Sequence, residues 1–278
     1  AAEACAISQP ALSVQIRALE QALGTPLFER TARQVRLTAF GEEALGRMRA
    51  VLRAVDELEE LARSIEGGLP GRLRLGVIPT IAPYLLPGIL QLMTKMHPGI
   101  GLQVRETITP RLIEELSEGR IDCALVALPV SVPGLTELAL FEEPLMLVRA
   151  ITEAAEPAPS AHELAQRRLL LLEEGHCFRD QALSLCALQP ARTRDTLDGS
   201  SLATLVQMVA AGLGTTLVPE MAVEVEARSP HVEVKRFAGV QPTRKVGMVW
   251  RRTSPLGAAV ESLADIVRQA AARGQNGH

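Results

Sequence analysis

The chain has 278 residues, 47% of them hydrophobic and 22% charged, with 29 lysines and arginines against 32 aspartates and glutamates and a formal net charge of −3. That length allows two or three domains, while the absence of an apolar run of roughly 18–20 residues excludes a helical membrane span, and without a basic-then-apolar leader the expected location is the cytoplasm. The slightly acidic balance excludes a globally basic nucleic-acid binder, so any DNA contact has to rest on local charge.

Taken in order, Ala1 to Ala6 read as the tail of a helix, and Ile7-Ser8-Gln9-Pro10 as a turn with a fresh start. Ser8 suits an N-cap, and Pro10 is tolerated in a first turn because its missing N–H would have no intrahelical partner. Leu12, Ile16, Leu19 and Leu23 recur at helical spacing and predict one buried face, which Gly24 ends and Pro26 keeps from resuming. Ser13, Gln15 and Arg17 on the outward face, with Ser8, Gln9 and Pro10 at the start, can reach base edges and phosphates, although a plain solvated face carries similar residues. Arg30, Thr31, Arg33 and Arg36 then fall on a predicted hairpin, where phosphate contacts position a protein without reading sequence.

Thr38 can cap a long helix running to Glu66. Its apolar residues Leu45, Met48, Leu52, Val55, Leu58, Ala62 and Ile65 are spaced by threes and fours, the pattern of a coiled-coil seam. One helix cannot bury such a stripe, so a dimer through it is expected. Gly67-Gly68-Leu69-Pro70-Gly71 breaks the helix and reads as a hinge.

From Arg72 onward short apolar runs alternate with helical patterns, which predicts an α/β sheet rather than a sandwich. Strands are expected at Leu73–Val77, Gln103–Glu106, Cys123–Ala127, Met146–Val148, Leu169–Leu172, Thr215–Val218 and Val246–Trp250. Helices are expected at Tyr84–Met96, Pro110–Ser117, Phe178–Leu188, Leu202–Ala211 and Pro255–Ala272. Two comparable units imply a bilobed domain with a cleft at the strand-to-helix junctions. Thr80 and Thr109 stand at two such junctions, where helix capping is the plainer role.

Four cysteines, Cys5, Cys123, Cys177 and Cys186, lack the paired spacing of a zinc site and are too few for a secreted disulfide scaffold, so no metal and no cofactor is expected. Cys123 in an apolar strand and Cys5 on the opening helix read as structural. Gly175-His176-Cys177-Phe178-Arg179-Asp180-Gln181-Ala182-Leu183-Ser184-Leu185-Cys186 differs from both, because two thiols, an imidazole and both signs of charge share one short segment. Isolated cysteines are commonly small buried hydrophobes. Here, however, His176, Arg179 and a helix N-terminus all favour a thiolate at Cys177, with Asp180 opposing. On a helix the nine-residue step to Cys186 separates the two side chains by about 13 Å along the axis and puts them on opposite faces. Joining them, which needs Cα atoms roughly 4.4–6.8 Å apart, would require that helix to unwind.

Two stretches carry a family resemblance. Ser8-Gln9-Pro10-Ala11-Leu12-Ser13 with Gln15-Ile16-Arg17 and Leu19-Glu20, followed by Leu27-Phe28-Glu29-Arg30, resembles the helix-turn-helix of the LysR-type transcriptional regulators. Gly175-His176-Cys177 with Asp180-Gln181-Ala182 and Cys186 resembles the sensor loop of that family's peroxide-responsive branch, and Gly199–Leu202 and Met208–Gly214 resemble a second-lobe segment of the family. The resemblance implies an N-terminal winged helix-turn-helix at 1–38, whose first helix the sequence is expected to lack, at a cost in DNA binding for an isolated product. It further implies a linker and dimerisation helix at 39–66, a hinge at 67–71 and a bilobed, periplasmic-binding-protein-like α/β regulatory domain at 72–278, with lobes at 72–150 plus 251–278 and at 151–250.

In function, the resemblance implies a DNA-binding regulator of the oxidative-stress response, and not an enzyme. Cys177 would be the peroxide-reactive thiol and Cys186 the resolving one, with Thr80, Thr109, His176, Asp180 and Arg251 forming the pocket and activating the thiol. Arg251 would lower the thiol pKa and balance Asp180, although a solvated arginine beside Arg252 is the plainer reading. Implied partners are promoter DNA, a second or fourth copy of the chain, hydrogen peroxide, RNA polymerase and a glutaredoxin- or thioredoxin-type reductant, with no membrane. A LysR-type regulator answering a small metabolite, and a thiol peroxidase, are the alternatives.

Overall fold

A computed structural model of the chain describes residues 2, 5, 7–30, 34–64, 72–164, 167–185 and 198–275. Thr31, Arg33, the expected hinge from Gly67 to Gly71, most of the opening helix tail and Cys186 lie outside the described residues, as does the side chain of Arg30. The chain divides into two units, Ala1–Glu59 and Glu60–His278.

In the first unit α1 (Gln9–Leu23) begins at Ser8, whose Oγ accepts the Ala11 N–H, with a proline in its first turn. It ends at Gly24, which takes φ +68° and donates its N–H to the Gln21 carbonyl, a left-handed position that favours glycine. The Glu20 carboxylate accepts the N–H groups of Leu27 and Phe28 at 2.8 and 3.1 Å, fixing the start of β1 (Phe28–Arg30), which pairs antiparallel with β2 (Val35–Leu37). Thr38 Oγ1 accepts the Gly41 N–H at 2.9 Å, capping α2 (Ala39–Ser64), and donates to the Pro26 carbonyl.

The apolar face of α1 is less buried than its spacing predicts: Leu12 and Ile16 are half-buried, but Leu19 and Leu23 are each 42% exposed. A short hairpin and one helix are too little to cover a 15-residue helix, and among the unit's described hydrophobic residues those fully withdrawn from solvent are Leu27 and Ala44.

In the second unit β3 (Arg72–Val77), α3 (Ala82–Met96), β4 (Gly101–Glu106), α4 (Thr109–Ser117) and β5 (Cys123–Leu128) follow one another, with β3 parallel to both β4 and β5. Leu73, Leu75, Val77 and Cys123–Ala127 are buried as continuous apolar runs, as expected of a parallel sheet covered on both faces. Next comes β6 (Leu135–Ala150), a 16-residue strand, then α5 (Ala161–Leu164), β7 (Leu171–Leu172), α6 (Cys177–Leu185), β8 (Asp198–Gly199), α7 (Leu202–Ala210), β9 (Thr216–Pro219), α8 (Glu220–Glu226), β10 (Val232–Lys235), β11 (Thr243–Arg251) and α9 (Gly257–Gln275). The main sheet runs β10-β6-β11-β5-β3-β4, with β9 also on β6.

Two apolar cores form the lobes. One joins β3, β5, α3, α4 and α9 to Val246–Trp250, and the other gathers Leu145–Val148 with the segments from Leu164 to Phe237. This divides the unit differently from lobes ending at 150 and 250. β11 is hydrogen-bonded into the first lobe, Lys245 to Trp250 against Leu128 to Cys123, so the chain crosses at Pro144 inside β6 and again at Pro242–Thr243. The full length of β6 was hidden because Glu137, Glu142, Glu143 and Pro144 interrupt its apolar pattern; α8 and β10 went unpredicted because each is short.

Candidate functional site

The thiol segment is built from the second lobe and faces the first. β7 runs parallel to β8, and the chain leaves β7 through Glu173-Glu174-Gly175. Gly175 takes φ +92°, a backbone region that favours glycine, and a β-carbon there would stand 2.7 Å from Ile108 Cδ1, whose side chain would have to move aside. α6 then starts at Cys177. Phe178, Ala182 and Leu183 sink into the second lobe's core, while the half-buried Cys177 packs against the first lobe's core. Arg179, read from sequence as a cation near the thiol, donates through Nη1 to the Leu172 carbonyl and to Asp198 Oδ1, both at 2.7 Å. Its charge is therefore engaged in pinning α6 to β7 and β8.

Cys177 opens on a narrow cleft lined by Ile78, Pro79 and Thr80 from the turn after β3, Ile108 and Thr109 from the start of α4, and His176, Cys177 and Phe178. Neither threonine caps its helix: the N-cap positions are Ile81 and Ile108, without side-chain bonds. Instead Thr80 Oγ1 accepts from Arg244 Nη1 at 2.9 Å, whereas Thr109 Oγ1 is buried with no hydrogen-bond partner among the described residues. Gln181 Oε1, one turn beyond Cys177 on α6, is a second such orphan. A buried polar atom left unpaired costs about 1–3 kcal/mol, so both are places where a small polar molecule gains bonds the protein does not make.

Burial pushes the His176 imidazole below its ordinary value, with Glu173 opposing, so near neutral pH it is uncharged and does not act as the cation beside the thiol that its sequence position indicated. The helix N-terminus remains as a source of positive potential at Cys177. Asp180 is exposed. Arg251, expected beside the sensor thiol, donates through Nη1 to the Leu116 and Ile121 carbonyls at 2.7 and 3.4 Å and is not among the cleft-lining residues. Burial pushes the Cys123 thiol well up, and Cys123 is fully enclosed in β5, while Cys5 is exposed. No group of three metal-ligating side chains occurs among the described residues.

Sequence reasoning missed Arg244 and Glu143. Both are buried, the Arg244 Nε to Glu143 Oε1 distance is 2.6 Å, and the guanidinium carbon stands 5.5 Å over the Phe178 ring. The available signal was two charges, each next to or one residue from a proline, inside apolar strands.

In the first unit Ser8, Gln9, Pro10, Gln15 and Arg17 are exposed along α1 and Ser13 is half-buried, with Arg17 Nε donating to the Ser13 carbonyl. Arg36 is exposed on β2 opposite Glu29. These side chains set a polar surface along α1 and β2.

Residues 1–42 match the bacterial regulatory helix-turn-helix protein, lysR family, and residues 66–272 match the LysR substrate binding domain. The chain is 43% identical over 274 residues to a probable hydrogen peroxide-inducible genes activator of Streptomyces viridosporus, covering 97% of this chain and 88% of that one. It is 40% identical to the DNA-binding transcriptional dual regulator OxyR of Escherichia coli K12, over 96% of this chain and 88% of the relative. The chain belongs to the LysR family, within its OxyR group. Among solved structures, full-length OxyR of Pseudomonas aeruginosa in a cysteine-mutant form aligns with a TM-score of 0.77 at 37% identity, covering 96% of this chain and 88% of that one. A hydrogen-peroxide-bound OxyR cysteine mutant of Corynebacterium glutamicum aligns at 0.73 and 35% identity, covering 98% and 87%. As a LysR-family protein with the family's helix-turn-helix, the chain is a DNA-binding transcriptional regulator and not an enzyme. No described helix is long and apolar enough to cross a membrane.

Proposed function

We propose that this OxyR-group regulator senses hydrogen peroxide through Cys177 and switches transcription by a Cys177–Cys186 disulfide. The observation that carries the proposal is the thiol at a helix N-terminus, facing a narrow cleft whose Thr109 oxygen has no hydrogen-bond partner among the described residues. The relatives named for hydrogen peroxide, and the neighbour with it bound, support the same effector.

The chemistry follows the lower rungs of cysteine oxidation. The Cys177 thiolate attacks one peroxide oxygen; an S–O bond forms, the O–O bond breaks, and the departing hydroxide takes a proton to become water. The sulfenic acid then condenses with the Cys186 thiol, giving a disulfide and a second water. Thr80, Thr109 and His176 would hold the peroxide, while Asp180 and Arg251 would act on the thiol from further out. Because α6 carries Phe178 and Arg179 in the second lobe's core, bonding Cys177 to a residue nine positions on unwinds the helix and repacks that lobe.

A repacked effector domain changes the arrangement of copies in a homodimer or homotetramer, and with it the spacing at which paired recognition helices meet DNA half-sites. Ser8, Gln9, Pro10, Ser13, Gln15 and Arg17 would read or contact the operator, with Arg30, Thr31 and Arg33 on the backbone. The output would be contact with RNA polymerase, a glutaredoxin- or thioredoxin-type reductant would reset the thiols, and the setting is the cytoplasm. Non-reducing peptide mapping before and after peroxide, with DNA footprinting, tests the scheme: a linked Cys177–Cys186 peptide and a shifted footprint are expected, both lost in Cys177→Ser. An unchanged peroxide response in that variant overturns it.

A further inference from the structure

Arg244 sits where the chain crosses between the lobes, and its buried guanidinium touches four elements. Nε and Nη2 both reach Glu143 Oε1 at 2.6 Å across the β11–β6 pair. Nη1 donates to Thr80 Oγ1 at 2.9 Å and Nη2 to the Thr80 carbonyl at 3.0 Å, while Met221 Sδ on α8 lies 3.9 Å from Nη2 and the Phe178 ring packs beneath the guanidinium carbon. Glu143 Oε2 accepts the Met221 N–H at 3.3 Å, completing the enclosure. A buried ion pair is poor evidence of a stabilising role, because well-packed apolar residues often serve as well. What an apolar pair would not supply is a charged donor on Thr80 Oγ1.

A threonine hydroxyl has one proton and two lone pairs. With a guanidinium N–H held on one lone pair, the hydroxyl proton must point away from Arg244, and Thr80 lines the cleft that Cys177 faces. The charged donor also polarises the O–H bond and makes it a stronger donor in turn. Thr109 differs, since among the described residues none hydrogen-bonds its hydroxyl, which is able to accept. The cleft thus offers one hydroxyl committed to donating and one able to turn.

We propose that Glu143 and Arg244 are a positioning pair that fixes the Thr80 hydroxyl as a hydrogen-bond donor to the oxygen that leaves when Cys177 attacks hydrogen peroxide. The proposal rests on the peroxide reading above. As the sulfur lone pair forms the S–O bond and the O–O bond breaks, negative charge gathers on the distal oxygen. Thr80 donates to that oxygen until solvent protonates the hydroxide to water, and Arg244 acts through Thr80 without touching the peroxide.

The test compares two reactions of Cys177 in the full chain: oxidation by hydrogen peroxide followed by stopped flow, and alkylation by iodoacetamide across a pH series. Alkylation needs the thiolate and access to it, but its iodide leaving group needs no hydroxyl donor. Thr80→Val is expected to slow oxidation about 100-fold, the scale of losing one donor to a developing oxyanion, with the alkylation profile unchanged. Thr80→Ser should restore the wild-type rate. The double variant Glu143→Met with Arg244→Met removes both charges, avoiding one left buried alone, and should slow oxidation selectively; adding Thr80→Val to it should cost little more, because the pair acts through that hydroxyl. Glu143→Gln, nearly isosteric, is a second route if the double variant does not fold, and should also slow oxidation alone. A wild-type oxidation rate in these charge variants, a parallel slowing of alkylation, or effects that multiply in the combined variant would overturn the pair's role. A wild-type Cys177 that reacts with peroxide no faster than a free thiol would instead sink the peroxide reading itself.

Discussion

Gly175 and Ile108 meet across the lobes: a β-carbon on Gly175 would lie 2.7 Å from Ile108 Cδ1, so the isoleucine tip would have to move aside. The contact stands two residues before Cys177, and Ile108 precedes Thr109 directly. This close contact therefore helps to set the spacing between the thiol and the Thr109 hydroxyl.

Gly175→Ala is expected to destabilise the chain by about 1–3 kcal/mol, the cost of holding a non-glycine residue in a sparsely populated backbone region. It should also slow peroxide oxidation of Cys177 by widening the cleft. Thermal unfolding and thiol oxidation kinetics check both effects. Adding Ile108→Ala separates the causes: it relieves the clash but not φ +92°, so oxidation should recover while part of the stability loss remains. Full recovery of both would show that the backbone angle costs nothing.

Much of this region was legible in the sequence. The Ser8 cap, the Gly24 stop, the Thr38 cap and the apolar runs of β3 and β5 were readable because each is a local signal within a few residues. Cys177 was nominated by the segment of thiols, imidazole and charges around it, and Thr80 and Thr109 by strand-to-helix junctions and the family resemblance; all three line one cleft. Arg244 was not legible, because its partners lie 101 and 164 residues away and nothing near it marks the contact. The sequence instead pointed to Arg251 at the end of the same strand, seven residues on. The register of β11 against β5 and β6 places both: it carries Arg244 to the lobe crossing, and Arg251 to where it reaches the carbonyls of Leu116 and Ile121. Capping of the threonines failed as a prediction for a related reason, since Thr80 answers to a distant guanidinium rather than to its own helix.

His176 gives the fold a pH dependence of definite sign. Its folded pKa lies below the ordinary 6.5 because burial disfavours the charged ring. The unfolded chain therefore binds a proton first as pH falls, and the stability contributed by the neutral ring is present above 6.5, then lost as pH drops from there toward the lower folded value. Urea unfolding at stepped pH should show a decline beginning just below neutrality that is shallower in His176→Asn. An identical decline in that variant would assign it to other groups.

Arg149 tests whether a buried arginine far from the cleft behaves differently from Arg244. It is 0% exposed and donates to Glu233 at 2.9 Å and to the carbonyls of Ala154, Glu156 and Pro157 at 3.3, 2.7 and 3.2 Å. Removing it leaves a turn of carbonyls without their donor and Glu233 held by Lys235 alone, so Arg149→Met should cost about 1–3 kcal/mol. Chemical denaturation measures this. Cys177 oxidation under native conditions should be unchanged, because none of these contacts reaches the cleft.

Along α2, Val51, Leu52 and Leu58 are 64%, 65% and 65% exposed in the single chain, with Val55 at 49%. Each leucine that a partner helix covers would contribute about 2 kcal/mol of apolar burial, which is what the proposed two-fold seam through this face would gain. Leu52→Lys with Leu58→Lys places like charges at the seam, and sedimentation should show a marked shift toward monomer. Operator affinity should fall with it, because two recognition helices no longer bind as one body and the gain in effective concentration is lost. The peroxide rate at Cys177 should hold, since its cleft is built wholly within the second unit. A variant that remains dimeric would place the assembly contact elsewhere on the chain, and one that turns monomeric yet keeps full operator affinity would show that dimerisation through α2 does not set DNA binding.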